Sequence, residues 1–186
     1  LRPAIVVIGA SLGGLTALQT ILSGLSPDFP VPLALVQHRS KSGRDLLGLV
    51  LQQQTFLRIR DVEDKDELRP GYLYVAPADY HLLIDEGQCA LALDPPVNFS
   101  RPSIDVLFES AAAAYGSRVV AIVLTGSNSD GALGALKVKQ GGGIVIVQDP
   151  AECESNVMPL AAMAAATVDY VIKVAEIPAL LEKLCA

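Results

Sequence analysis

The chain has no tryptophan, only two histidines and only three cysteines. Cys89, Cys153 and Cys185 are odd in number, widely spaced and without a C-x-x-C arrangement, so the sequence offers neither a disulfide framework nor a zinc site. They read as small apolar fillers. No uninterrupted apolar run reaches the roughly 18 to 20 residues of a membrane span, and Leu1-Arg2-Pro3 leads straight into a strand-like run with no signal-peptide pattern. A cytoplasmic protein without direct membrane insertion is expected. Basic runs are missing as well. With a formal net charge of −6 and no clustered Lys and Arg to neutralise phosphates, the composition argues against nucleic acid as the main partner.

What is present is apolar. Hydrophobic residues make up 51% of the chain and charged residues 18%, enough buried surface to offset the entropy of ordering one domain of this length. Residues 4–8 are a β-branched run closed by Gly9, and residues 12–25 follow with Leu15, Leu18, Ile21, Leu22 and Leu25 at helical spacing. A strand at 33–37 and a helix at 44–53 repeat the unit. A short strand at 57–61 and an acidic, solvated stretch at 62–68 come next. The rhythm then changes to short extended runs at 72–76, 81–84 and 89–93, divided by Pro77-Ala78-Asp79 and Asp85-Glu86-Gly87, which predicts a strand and a β-hairpin at one edge of the main sheet.

Beyond the Pro95-Pro96-Val97-Asn98 loop, Ser103 is placed to cap a helix over 104–115, with Asp105 in its first turn. Residues 119–124 have the continuous apolar character of a central parallel strand. A helix to about residue 140, a strand at 144–147, a helix at 158–166, a strand at 170–172 and a helix from 176 complete the pattern. Alternating β and α predicts an α/β fold, a doubly wound and mostly parallel sheet with helices on both faces.

Between the first strand and the first helix, Gly9-Ala10-Ser11-Leu12-Gly13-Gly14 fits G-x-S-x-G. Three readings apply: a nucleophilic serine on a strained turn with the next backbone N–H facing an oxyanion, a loop cradling a dinucleotide phosphate, or a plain helix cap. A dinucleotide site wants an acidic residue at the end of the second strand. Gln37-His38 stands there instead, which favours hydrolysis, because imidazole is the usual base for a serine hydroxyl. The plainer reading of His38 is a loop residue bonded to backbone. Asp130 follows the 119–124 strand and is suited to accept Nδ1–H of His38, leaving Nε2 to face Ser11; its plainer reading is a carboxylate at a helix N-terminus. His81, in the hairpin region, reads as a surface or edge-strand residue.

Several segments carry a resemblance to a known family: Gly9-Ala10-Ser11 with Gly13-Gly14, Gln37-His38, Pro70-Gly71 with Ala76-Pro77, Pro95-Pro96-Val97-Asn98, Arg101-Pro102-Ser103 with Asp105-Val106-Leu107-Phe108, Leu124-Thr125-Gly126, Asp130-Gly131-Ala132 and Met158-Pro159. Over essentially its whole length the sequence resembles the catalytic domain of the bacterial chemotaxis receptor methylesterase, the CheB family. The resemblance implies Ser11 as nucleophile, His38 as base and Asp130 as its orienting acid, with no metal or organic cofactor. It implies hydrolysis of γ-glutamyl methyl esters on the cytoplasmic helices of methyl-accepting chemotaxis receptors, and deamidation of receptor glutamines by some members.

Two departures border the expected oxyanion site, whose backbone donors are assigned to Leu12 and Ser127: Leu12 stands where the family usually has Thr, and Ser127-Asn128 where it has Met-Gly. Full-length family members also carry a receiver domain, an expected partner, whereas residues 1–186 read as one catalytic domain. The rival readings are a non-catalytic receptor-binding module of the same fold and an esterase for small soluble esters.

Overall fold

A computed structural model describes residues 2–39 and 46–186. Nine strands form: β1 (Ile5–Ala10), β2 (Leu33–Gln37), β3 (Arg58–Asp61), β4 (Tyr72–Val75), β5 (His81–Asp85), β6 (Gln88–Ala92), β7 (Val119–Val123), β8 (Ile144–Gln148) and β9 (Tyr170–Ile172). Among the described residues they are accompanied by six α-helices: α1 (Gly14–Ser23), α2 (Leu47–Gln52), α3 (Ile104–Tyr115), α4 (Ala132–Gln140), α5 (Val157–Ala165) and α6 (Ile177–Cys185). Seven strands make one parallel sheet in the order β3-β4-β2-β1-β7-β8-β9. The predicted doubly wound architecture is present.

Side-chain alternation divides the core into two layers. Val6 and Ile8 of β1 face α1, α2 and α6, joining Leu18, Ile21, Leu22, Leu51 and Leu181. Ile5 and Val7 face the other way, onto α3, α4 and α5 through Leu107, Phe108, Val138 and Ala162. β1, β2 and β7 are buried along their whole length, which explains their unbroken apolar sequences.

The hairpin β5–β6 forms, turning at Gly87 with φ +81°, as its own two-stranded antiparallel sheet. It bonds to the 65–68 segment through Lys65 N–H to Cys89 O, Cys89 N–H to Asp66 O and Leu68 N–H to Gly87 O. Leu82, Ile84 and Cys89 add to the α3 side of the core. Of the predicted helix at 44–53, residues 44 and 45 lie outside the described residues. Cys89 and Cys185 are buried and Cys153 half-buried, all as free thiols. Burial pushes the Cys89 thiol up to about 12, far from thiolate chemistry. Among the described residues, no helix is long and apolar enough to cross a membrane.

The chain moves from β1 to β2 in one direction and returns to place β7 on β1's other flank. The order reverses there, and the carboxyl ends of parallel strands at such a reversal form a crevice. Ser11, His38 and the 125–130 loop leave the sheet at that edge.

Candidate active site

The turn after β1 is shaped by its glycines. Gly13 has φ +80°, and a Cβ there would lie 2.6 Å from Glu154 Cβ; a Cβ on Gly14 would lie 2.2 Å from Gln37 Oε1. Ser11 itself is not among the residues with positive φ. The strain that a nucleophile elbow places on its serine is therefore carried here by Gly13, which also precedes α1 as its N-cap. Ser11 is tied through its backbone: its N–H donates to Thr125 O (3.0 Å), and its carbonyl accepts Gly14 N–H (2.9 Å) and Gln37 Nε2 (2.8 Å). Its hydroxyl makes no hydrogen bond among the described residues.

His38 is anchored by its N–H to Ala10 O at 3.0 Å. Its ring Nε2 lies 2.8 Å from Asp130 Oδ2, with 13% of the His38 side chain exposed and none of Asp130. The sequence reading expected the opposite nitrogen at the carboxylate. Asp130 lies deep against the start of α3, and Nε2, the nitrogen farther from the backbone, is the one that reaches it. Nδ1 instead faces Asn128, whose Nδ2 is 3.3 Å away.

Asp130 accepts four bonds. Oδ1 takes Ser103 Oγ–H at 2.8 Å and Asp105 N–H at 3.0 Å; Oδ2 takes Ile104 N–H at 2.7 Å and the His38 ring. The carboxylate thus caps α3, a helix 26 residues upstream, while serving His38. Ser103 sits at the N-cap as expected but makes no side-chain capping bond, because its hydroxyl is spent on Asp130. Burial works to raise the Asp130 pKa, but the bonds from His38, Ile104, Asp105 and Ser103 outweigh it and hold the carboxyl below its ordinary range.

Ser11, Leu12, Gln37, His38 and Glu154 line one open cleft of about 510 Å³. The Leu12 N–H has no acceptor among the described residues and is free to bond a ligand. Ser127 is exposed and its N–H is likewise unpaired among them, but it does not line this cleft. Among the described residues no group of three or more His, Cys, Asp and Glu is placed to hold a metal.

Four contributors were not anticipated. Gln37 straps the carbonyls of Ser11 and His38 together, at 2.8 and 3.0 Å, while its Oε1 is buried without a partner among the described residues. Asn128 holds the His38 ring, and Asp105, buried beside Asp130, accepts Gly134 N–H (2.7 Å) and Asn98 Nδ2 (2.8 Å). Burial raises the Asp105 carboxyl above its usual range. His81 lies on β5 but is buried rather than exposed: Nδ1 accepts Ser103 N–H at 3.2 Å, so Nε2–H donates to Pro95 O at 3.1 Å. Gln37, adjacent to His38, and Asn128, one of the departures beside the expected oxyanion site, carried a local signal; their bonds to the site did not.

A doubly wound α/β domain with serine, histidine and buried aspartate at one sheet edge has the parts of a serine hydrolase. Residues 6–181 match the family profile described as CheB methylesterase. The chain belongs to the CheB methylesterase family. It is 42% identical over 180 residues to a putative protein-glutamate methylesterase/protein-glutamine glutaminase of Leptospira interrogans, covering 96% of this chain and 93% of that protein. It is 43% identical over 183 residues to protein-glutamate methylesterase/protein-glutamine glutaminase 2 of Anaeromyxobacter dehalogenans, covering 98% of this chain but 54% of that protein. The crystal structure of the Thermotoga maritima CheB methylesterase catalytic domain superposes with a TM-score of 0.93 at 36% identity, covering 99% of this chain and 100% of that one.

Proposed function

We propose that this domain hydrolyses γ-glutamyl methyl esters on the cytoplasmic helices of methyl-accepting chemotaxis receptors, with Ser11 as nucleophile, His38 as base and Asp130 as the base's partner. The observation that carries the assignment is the 2.8 Å bond from His38 to a fully buried carboxylate, at the cleft that Ser11 also lines. With Nε2–H committed to Asp130, Nδ1 is the nitrogen left to take the Ser11 proton as Oγ attacks the ester carbonyl. The oxyanion is received by backbone donors, Leu12 N–H first and Ser127 N–H if its loop closes on the substrate. As the tetrahedral intermediate collapses, the C–O bond to methanol breaks and Nδ1–H protonates the departing oxygen. Water, deprotonated by Nδ1, then cleaves the acyl-serine to release the glutamate side chain and restore Ser11. Receptor glutamine would follow the same path, with ammonia leaving.

In this reading residues 1–186 are one cytoplasmic catalytic domain whose regulatory partner is a receiver domain. Methanol release from methylated receptor membranes tests it: the protein releases methanol, and a folded Ser11→Ala variant does not. Receptor binding without release by the parent protein identifies a non-catalytic module; release only from small soluble esters identifies a different esterase.

A further inference from the structure

The loop after β7 brings Asn128 against the His38 nitrogen that Asp130 does not use. Asn128 Nδ2 lies 3.3 Å from His38 Nδ1, and Asn128 Oδ1 accepts the Asp130 N–H at 3.1 Å. The second bond decides the first. Because the carboxamide oxygen is committed to the Asp130 backbone, the amine end is what the imidazole meets. With the proton on Nε2, Nδ1 of the neutral ring is a lone pair, and Asn128 donates to it. The electron pair that must accept the Ser11 proton is already occupied, and the Ser11 hydroxyl is unbonded among the described residues.

We propose that Asn128 is a positioning residue that gates the base: it holds Nδ1 of His38 while the cleft is empty and yields it to Ser11 when an ester is seated. The inference rests on the proposed role of His38 as base. The Asn128 bond exists only with the ring neutral and at rest. Protonating Nδ1 turns a hydrogen toward the amine hydrogens, and deprotonating Ser11 requires Nδ1 to be vacated. Both events lose the bond by the same factor, and this coupling gives the gate a kinetic signature.

Other charged groups also face the ring. Asp130 holds Nε2, and Glu154 lines the cleft with His38. Arg39 and Arg101 line a second cavity with His38 and Phe99; Arg39 bonds the carbonyls of Gln37 and Ala76, and Arg101 bonds Asp79.

The test compares parent, Asn128→Gly and Asn128→Asp by kcat/KM against pH on methylated receptor membranes, and by ¹⁵N NMR of the imidazoles in free protein. The chain's two histidines keep that spectrum simple, and His38→Ala assigns it. Asn128→Gly should raise the alkaline plateau of kcat/KM by about two- to tenfold, the worth of one net hydrogen bond, and raise the apparent pKa at which the plateau is reached by the corresponding amount, about 0.3 to 1 pH unit. The acid limbs of parent and variant then superimpose. Asn128→Asp keeps an acceptor for the Asp130 N–H but cannot donate to Nδ1 and favours the imidazolium, so its apparent pKa should rise further. The neutral-ring Nδ1 resonance should leave its hydrogen-bonded position in both variants. If Asn128 only supports the turn, Asn128→Gly loses rate with the apparent pKa of its profile unmoved; that result, or an unchanged Nδ1 resonance in Asn128→Gly, overturns the proposal. A shifted resonance in a protein that releases no methanol keeps the Asn128 contact and removes the esterase reading.

Discussion

Ser103 donates its hydroxyl to Asp130 across 2.8 Å instead of capping the helix it begins. Asp130 in turn supplies the cap that Ser103 does not, accepting the N–H groups of Ile104 and Asp105. The carboxylate bonded to His38 is thus also a structural keystone for α3. Its orientation is fixed by covalently rigid backbone donors, which is how a small domain can hold a buried acid in one rotamer without a second charged partner.

Asp130→Asn tests this double role. An amide offers one acceptor oxygen where four donors converge, so at least one N–H is left facing another donor. We expect kcat/KM to fall by on the order of 10² to 10⁴, as for triad acids generally, and stability to fall by about 1–3 kcal/mol, the cost of an unsatisfied buried group. Kinetics and urea unfolding measure the two separately. An activity loss below about tenfold with the full stability loss would make Asp130 a helix cap alone.

Acid unfolding provides an independent check. Hydrogen bonds hold the folded-state pKa of Asp130 below its ordinary value. A carboxyl of this kind contributes its full stabilisation above the unfolded value, near 3.9, and loses it as pH falls through the lower folded value. The parent should therefore lose stability steadily below about pH 4, and Asp130→Asn should show a shallower slope in that window. Parallel curves for the two proteins below pH 4 would mean that Asp130 ionisation is not coupled to folding.

The two histidines should separate by symptom. His38→Ala removes the proposed base, a partly exposed ring, and should abolish turnover with little change in Tm. His81→Ala strips a buried ring from between Ser103 N–H and Pro95 O, leaving both unpaired, and should cost about 2–4 kcal/mol while each folded molecule keeps most of its rate. Equal Tm values for parent and His81→Ala would show that the cavity is filled by water or by collapse.

The sequence reading located α3 and β9 at their observed bounds because periodicity and flanking turns are local. That Ser11, His38 and Asp130 lie at one edge was legible for a related reason: Ser11 and His38 directly follow β1 and β2, Asp130 closes the loop between β7 and α4, and all three segments leave the carboxyl end of the parallel sheet. The three further donors to Asp130 were not, since Ser103, Ile104 and Asp105 meet it only after α3 packs back on the sheet. The ring nitrogen that faces Asp130 depends on the depth of that carboxylate beneath the β2 terminus, a quantity no spacing encodes. His81 was read as a surface or edge-strand residue; it lies on the hairpin strand β5 but is buried, because a single histidine in an alternating run gives no sign that its face is covered.

The turn after β1 should respond to backbone changes far more than to side-chain changes. Leu12 is half-exposed and offers its N–H as a donor whatever its side chain, so Leu12→Thr should alter kcat/KM by less than about tenfold, one pKa unit's worth of energy. Gly13→Ala is the opposite case. It forces a left-handed φ of +80° on a residue with a Cβ and drives that Cβ to 2.6 Å from Glu154 Cβ, a main-chain-proximal atom that cannot swing aside. Stability should fall by roughly 1–2 kcal/mol. The turn must also shift, carrying Ser11 Oγ and the Leu12 N–H off their line of attack, so kcat should fall about a hundredfold or more, since a displacement near 1 Å can cost that much. Parallel kinetics and thermal unfolding of the two variants decide the matter: a Leu12→Thr enzyme more damaged in kcat than Gly13→Ala would mean that the side chain at position 12, and not the path of the chain, builds the oxyanion site.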